Sequence, residues 1–333
     1  MTNRELDHAR HLLCRLQDHI RESVIAAWQR QGRSFAKVVA VTAADTIYQV
    51  DRIGEQAILE WFERHWPKTW PVELVMEGLD EAEAVTFPAG TPVGQTRWKC
   101  ILDPIDGTRG LMYDKRSAWS LAGLAPQRGG KTTLADIVVA AMTELPTSKQ
   151  WRADQLSAVK GRGVVAQAVN VLTGERKPLR VTPSRAKDCR GGFAALSRFF
   201  PEGKALLGEL EERLWQELYG RGGANSPLVF DDQYICSGGQ LAELIAGHDR
   251  FMADLRPRVF GKLHVKSALV CHPYDLCTAL VAREAGCVIE APLGGAIRAP
   301  LDTTSAVDWA GYANPALARH IRPVLRRLIK RML

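Results

Sequence analysis

The chain of 333 residues is 46% hydrophobic and 24% charged, a balance that builds one or two globular domains around a sizeable core and excludes wholesale disorder. Basic residues exceed acidic ones by seven, 44 against 37; this permits an anionic ligand but is too weak a bias to indicate nucleic-acid binding. No stretch of about 18 apolar residues is present, so no membrane span is expected.

An amphipathic helix is predicted from about Arg4 to Gln31, because Leu12, Leu16, Ile20, Val24 and Trp28 form one stripe. A short strand is expected at Val38–Val41, and a second helix from about Asp51, with Ile53, Ala57 and Trp61 on one face and Pro67 and Pro71 beyond its end. VELVME and WKCILD read as strands, joined by a polar loop from Leu79 to Thr96. AWSLAGLAP and LADIVVAAMT read as strands around the turn-like QRGGKTT, and further strands are expected in GVVAQAVNVL and PLRVT. Helices are predicted at 203–217, 239–246, 275–285 and from Asn314 to Leu333. This interleaving implies an α/β or layered α+β architecture. The N-terminal stretch lacks the apolar core of a signal peptide. Seven cysteines without a CxxC pair argue against a disulfide framework or zinc ribbon; free thiols and a cytoplasmic protein are expected.

Residues 101–110, ILDPIDGTRG, hold Asp103 and Asp106 three apart at a strand end. Two adjacent carboxylates repel, and one would normally keep its proton. A hard divalent cation such as Mg²⁺ removes the conflict, because it takes oxygen ligands. Pro104 stiffens the turn, and the Ile105 carbonyl is a further oxygen donor. Gly107 and Thr108 then open a short helix whose free N–H groups suit a phosphate oxygen. Taken alone, the same residues also make an ordinary loop turn.

WKCILDPIDGT at 98–108 resembles the signature of the inositol monophosphatase superfamily, Mg²⁺-dependent and often lithium-sensitive phosphomonoesterases related to fructose-1,6-bisphosphatase and the 3′-phosphonucleotide phosphatases. Other elements of the family follow in order. AADTIYQVD points to Asp51, VELVME ends on Glu77, DLCTALVAREAGCVIEAPLGG opens on Asp275, with Tyr274 where the family has Trp, and AGYANP resembles the closing segment. The resemblance is weak between about 145 and 230. It implies a five-layer αβαβα sandwich in two halves, 1–185 and 186–333, and a homodimer by default. It also implies two or three Mg²⁺ ions per active site, and as substrate a small phosphorylated metabolite: an inositol phosphate, a sugar phosphate or bisphosphate, or a 3′-phosphonucleotide.

Carried over residue by residue, the resemblance makes Asp103 a bridging ligand. Glu77 and the Ile105 carbonyl complete one metal site with it; Asp106 and Asp275 complete another. Thr108, hydrogen-bonded to Asp51, orients or deprotonates the attacking water, and the Gly107 and Thr108 amides hold the phosphate. By residue type alone, Asp275 and Asp51 also suit helix N-caps, and Glu77 an ordinary strand-end charge. One departure stands out. The family has two consecutive glutamates where this chain has Glu77-Gly78. Glu81 or Glu83 would substitute only through a loop shift, and loss of a supporting carboxylate weakens metal affinity by about 10–100-fold. The missing glutamate leaves open a non-catalytic phosphoester-binding role. Arg109-Gly110-Leu111 replaces the family's aromatic-containing segment after DGT.

On the substrate side the family pattern points to Ser237, Gly238 and Asp254, although SGGQ also reads as a plain helix start. Arg256, Arg258, Lys262 and Lys266 are candidates for reading a second anion, or are solvated surface. GGKTT at 129–133 lacks the first glycine of a phosphate-binding loop, and GRGVVA at 161–166 reads as a hairpin. The basic tail around Arg319–Arg331 reads as a last helix with cations near its C-terminal end, rather than a membrane or RNA contact.

Overall fold

The computed structural model describes residues 2–31, 38–41, 46–79, 84–220, 229–266 and 269–333, with backbone alone at 30–31, 38–41 and 46–54. Helix α1 (Asn3–Gln31) leads to an antiparallel pair, β1 (Val38–Val41) and β2 (Thr46–Tyr48), and then to α2 (Gln49–His65). The chain continues through β3 (Val72–Met76), β4 (Val85–Phe87), β5 (Trp98–Asp106), the one-turn α3 (Thr108–Met112), β6 (Ala118–Pro126), β7 (Val139–Leu145), β8 (Arg152–Val159), β9 (Val164–Asn170) and β10 (Arg176–Pro178). These strands make an eight-stranded sheet in the order β10-β9-β8-β7-β6-β5-β3-β4, antiparallel except where β3 runs parallel to β5.

The second half opens with β11 (Gly192–Leu196), α4 (Lys204–Tyr219), β12 (Val229–Phe230), α5 (Ser237–Ala246) and β13 (Asp249–Asp254). It closes with α6 (Arg256–Leu263), α7 (Pro273–Leu276), α8 (Ala279–Glu284), β14 (Val288–Glu290), β15 (Trp309–Tyr312) and α9 (Pro315–Met332). Its five-stranded sheet has the order β12-β11-β13-β15-β14.

Packing sorts these elements into five layers. Helices α1 and α2 cover one face of the large sheet; α5, α7 and α8 lie between the two sheets; α4 and α9 pack together outside the small sheet. Two apolar cores result, and β5 divides them. All nine of its residues are buried. Cys100 and Leu102 face the core under α1 and α2, whereas Ile101 faces the core between the sheets, as the two-residue period of a strand requires. A buried polar side chain fixes α1 to the sheet. Gln17 donates to the carbonyls of Ser120 (2.9 Å) and Ala141 (2.8 Å) and accepts from Thr143.

Several boundaries differ from the sequence expectation. The loop from Leu79 to Thr96 contains β4, whose three residues are too few to display a period. PLRVT is not a strand beyond Pro178, although the Leu179 N–H still donates to Ala166 O of β9 at 3.0 Å. The helix expected over 275–285 is two short helices interrupted at Cys277 and Thr278. Strand β8 was hidden by its polar residues, which are buried against partners: Gln155 donates to Cys14 O and Thr143 Oγ1, and Arg10 donates to Ser157. Helix α6 lies in the stretch read as a basic surface, and there Arg256 and Arg258 are ion-paired to Asp254 and Asp308. The tail arginines are also engaged: Arg322 and Arg326 meet Glu290, and Arg327 and Arg331 meet Glu217.

Candidate metal centre

Strict alternation would send residues 103 and 106 to opposite faces of β5. A bulge prevents this. The pairing of β5 with β6 runs to Asp103↔Leu121 and resumes at Asp106↔Trp119, with Pro104 and Ile105 set between. The Ile105 N–H turns back to Asp103 Oδ1 at 2.9 Å. Both carboxylates thereby point to one spot, with Asp103 1% and Asp106 7% exposed. The middle layer delivers Asp275. Oxygen atoms of Asp103, Asp106 and Asp275 lie within 4.8 Å of one another.

Each carboxylate is held from behind. Asp275 is not the N-cap of α7. His272 is the cap, and Asp275, three residues on, accepts the His272 N–H at 2.5 Å. His272 itself is tied to the Ser305 carbonyl at 3.0 Å. Asp106 Oδ2 accepts the Gly238 N–H at 2.5 Å from the first turn of α5. Gly238 must be glycine, because a Cβ there would lie 2.9 Å from Asp106 Oδ2 and 2.8 Å from Leu121 Cδ2. Glu77 follows β3 directly; its N–H donates to Leu102 O at 3.2 Å, which continues the parallel ladder to the residue beside Asp103.

The electrostatics are those of crowded, buried anions. Burial, then Glu77, Asp106 and Asp275, hold the Asp103 carboxyl well above the usual carboxylate range. Burial and Asp275 raise Asp106 against the opposing pull of the Gly238 N–H. Burial raises Asp275 to about 6, with the His272 N–H acting the other way. Buried like charges at this spacing either keep protons or share a cation. The donors are all oxygen, a set that suits a hard divalent ion.

The remaining predicted residues fall as follows. Gly107 caps α3 with φ of 96°, and the Thr108 hydroxyl donates to the Ile105 carbonyl at 2.7 Å. The Asp51 partner expected for Thr108 has its side chain outside the described residues; its backbone is the third residue of α2, past the cap position. Glu81 and Glu83 also lie outside them. Ser237 is buried, its hydroxyl 3.5 Å from Cys271 Sγ. Asp254 is fully buried, and both its oxygens are taken by the Arg256 guanidinium.

Three features went unread in the sequence. Cys236 caps α5 through its sulfur, which accepts from the Gly239 N–H, and it packs beside Gly107. Cys271 and Cys277 are buried thiols raised by burial and by Asp275 and Asp103 respectively. Arg256 lies 4.5 Å from the Phe199 ring centre and 5.4 Å from that of Phe200. The paired Phe-Phe before a predicted helix was the available signal for the last; the cysteines carry none, because isolated buried Cys is common.

No family model and no curated protein matches the chain. Solved structures do. The extragenic suppressor protein SuhB of Bartonella henselae aligns over 98% of this chain and 100% of its own, with TM-score 0.65 and 17% identity. Fructose-1,6-bisphosphatase of Leishmania major, in its holo form, aligns over 95% and 93%, with TM-score 0.65 and 13% identity. Mycobacterium tuberculosis SuhB aligns over 98% and 96%, with TM-score 0.56 and 15% identity. At such identities the likeness is one of architecture, and it spans nearly the whole chain: this protein has the layered αβαβα fold seen in SuhB and in fructose-1,6-bisphosphatase.

Proposed function

We propose that the chain is a Mg²⁺-dependent phosphomonoesterase acting on a small phosphorylated metabolite. The observation that carries this reading is the convergence of three carboxylates within 4.8 Å, two of them almost fully buried, with Glu77 beside them. In this reading Glu77, Asp103, the Ile105 carbonyl, Asp106 and Asp275 hold the ions, two or three in number. Bound Mg²⁺ supplies charge neutralisation at the phosphoryl group and an acidified water.

The chain's own residues do the rest. The Gly107 and Thr108 amides face the phosphate oxygens, where negative charge is greatest. The Thr108 hydroxyl would orient the attacking water and take its proton while passing its own to Asp51. At present the single Thr108 hydroxyl proton goes to Ile105 O, so that role requires it to change partner. Ser237, Gly238 and Asp254 belong to the substrate side, where Gly238 fixes Asp106 and Asp254 fixes Arg256. The halves 1–185 and 186–333 act as one unit, since Asp275 comes from the second and the other ligands from the first. Inositol phosphates, sugar phosphates or bisphosphates and 3′-phosphonucleotides are the substrate classes, and a cytoplasmic homodimer is the working form. Among the described residues no helix is long and apolar enough to cross a membrane.

Gly78, which leaves the turn after β3 without a second carboxylate, favours one other reading: a phosphoester-binding protein without turnover. Hydrolysis of an aryl phosphate and a metabolite panel with added Mg²⁺ decides between them. Turnover that disappears in Asp103→Asn and Asp275→Asn supports the enzyme. Tight phosphoester binding with no hydrolysis of any panel member supports the other.

A further inference from the structure

Gly78 has φ of 89°, a conformation that disfavours side chains. The space beside it is taken. A Cβ built on Gly78 would lie 3.0 Å from Cδ of Glu55 and closer still to its Oε1. The carboxylate of Glu55, from within α2, therefore sits over the backbone that directly follows Glu77. A side chain at 78 would force the end of the Glu55 side chain to move, so the present placement of that carboxylate depends on glycine. The negative charge that the β3 turn lacks arrives from another element.

We propose that Glu55 is a positioning residue of the metal centre. It sets the Glu77–Gly78 turn from outside and adds a supporting carboxylate behind Glu77, which itself meets Asp103. The inference rests on reading the acidic cluster as a cation site. The Glu55 charge has the same sign as that of Glu77 next to Gly78, and like charges repel in the metal-free protein. A role as a single hydrogen-bond acceptor at position 55 can be met by the amide oxygen of glutamine, whereas a role towards a cation requires the charge.

Glu55→Gln preserves shape and removes that charge. Mg²⁺ binding by titration calorimetry and thermal unfolding in EDTA are measured for wild type, Glu55→Gln and Asp103→Asn. The expected result is a Mg²⁺ Kd raised about tenfold or more in Glu55→Gln, with a metal-free Tm equal to or above that of wild type. Asp103→Asn should lose saturable binding. An unchanged Kd in Glu55→Gln, with Asp103→Asn still abolishing binding, overturns the role of Glu55 alone. So does a lowered metal-free Tm with Mg²⁺ affinity intact, the signature of a packing residue. Absence of saturable Mg²⁺ binding in wild type overturns the metal reading, and this inference with it.

Discussion

Replacing Asp103 by Asn should move two observables in opposite directions. Two unit charges 4.8 Å apart repel by about 3.5 kcal/mol at an effective dielectric of about 20. Asp103 faces Glu77, Asp106 and Asp275, and the metal-free cluster relieves part of that repulsion by keeping protons. Asparagine removes one member while keeping its volume, and its oxygen can still accept the Ile105 N–H. The metal-free variant should therefore gain about 2–3 kcal/mol at neutral pH, since part of the pair repulsion is already relieved by proton uptake. The Mg²⁺ response should go the other way. At about 100 times Kd, the cation should stabilise wild type by about 2.7 kcal/mol and the variant hardly at all. Urea unfolding in EDTA and again in Mg²⁺ measures both quantities on each protein. A variant that is less stable without metal yet keeps its Mg²⁺ increment would refute the reasoning, because the carboxylate would then be a structural hydrogen-bond acceptor and not a ligand.

Three further outcomes are expected. Gly238→Ala sets a methyl 2.8–3.0 Å from Leu121, Asp106 and Trp119; a loss of about 1–3 kcal/mol and at least a tenfold fall in aryl phosphate turnover should follow, checked by urea unfolding and initial rates. Arg256→Met strands the fully buried Asp254 carboxylate and should cost about 3–5 kcal/mol; a loss under about 1 kcal/mol would mean that Asp254 takes up a proton or water instead of standing as an unpaired buried charge. Asp249, 6% exposed, is raised to about 7 by burial and then by Glu243 and Asp232, against His248 and Arg116. A folded-state pKa above the unfolded one means that stability is lost as pH rises from about 4 through 7, with a ceiling of about 4 kcal/mol. Asp249→Asn should thus match wild type near pH 4 and exceed it at pH 8, and a difference between the two proteins that does not change with pH would exclude the effect.

How far the sequence can be read depends on where each feature's determinants lie. The long helices and central strands were legible because their determinants are local: the stripe from Leu12 to Trp28 closes on one helix face, and WKCILD sits in a strand buried on both sides. The pairing of Asp103 with Asp106 was legible from their spacing around Pro104, whereas the bulge that turns both to one spot was not. What failed was set by distant partners. Strand β8 looks polar until Gln155 and Ser157 meet α1. The basic stretch after Asp254 looks solvated until Arg258 finds Asp308, fifty residues ahead.

Gly78 states the same division most sharply. In the sequence it is a deficit, a glycine where the resembled pattern has a second glutamate. In three dimensions the space beside it has an occupant, the Glu55 carboxylate. Nothing local to residue 78 could reveal this, because Glu55 comes from a different element and is separated from it by β3 and the turn before it. A metal centre asks for charge at a position in space and is indifferent to which stretch of chain supplies it. A carboxylate missing from a motif therefore counts against the chemistry only after neighbouring elements have been searched for its replacement, and in this fold the element to search is α2, the helix that begins beside Asp51.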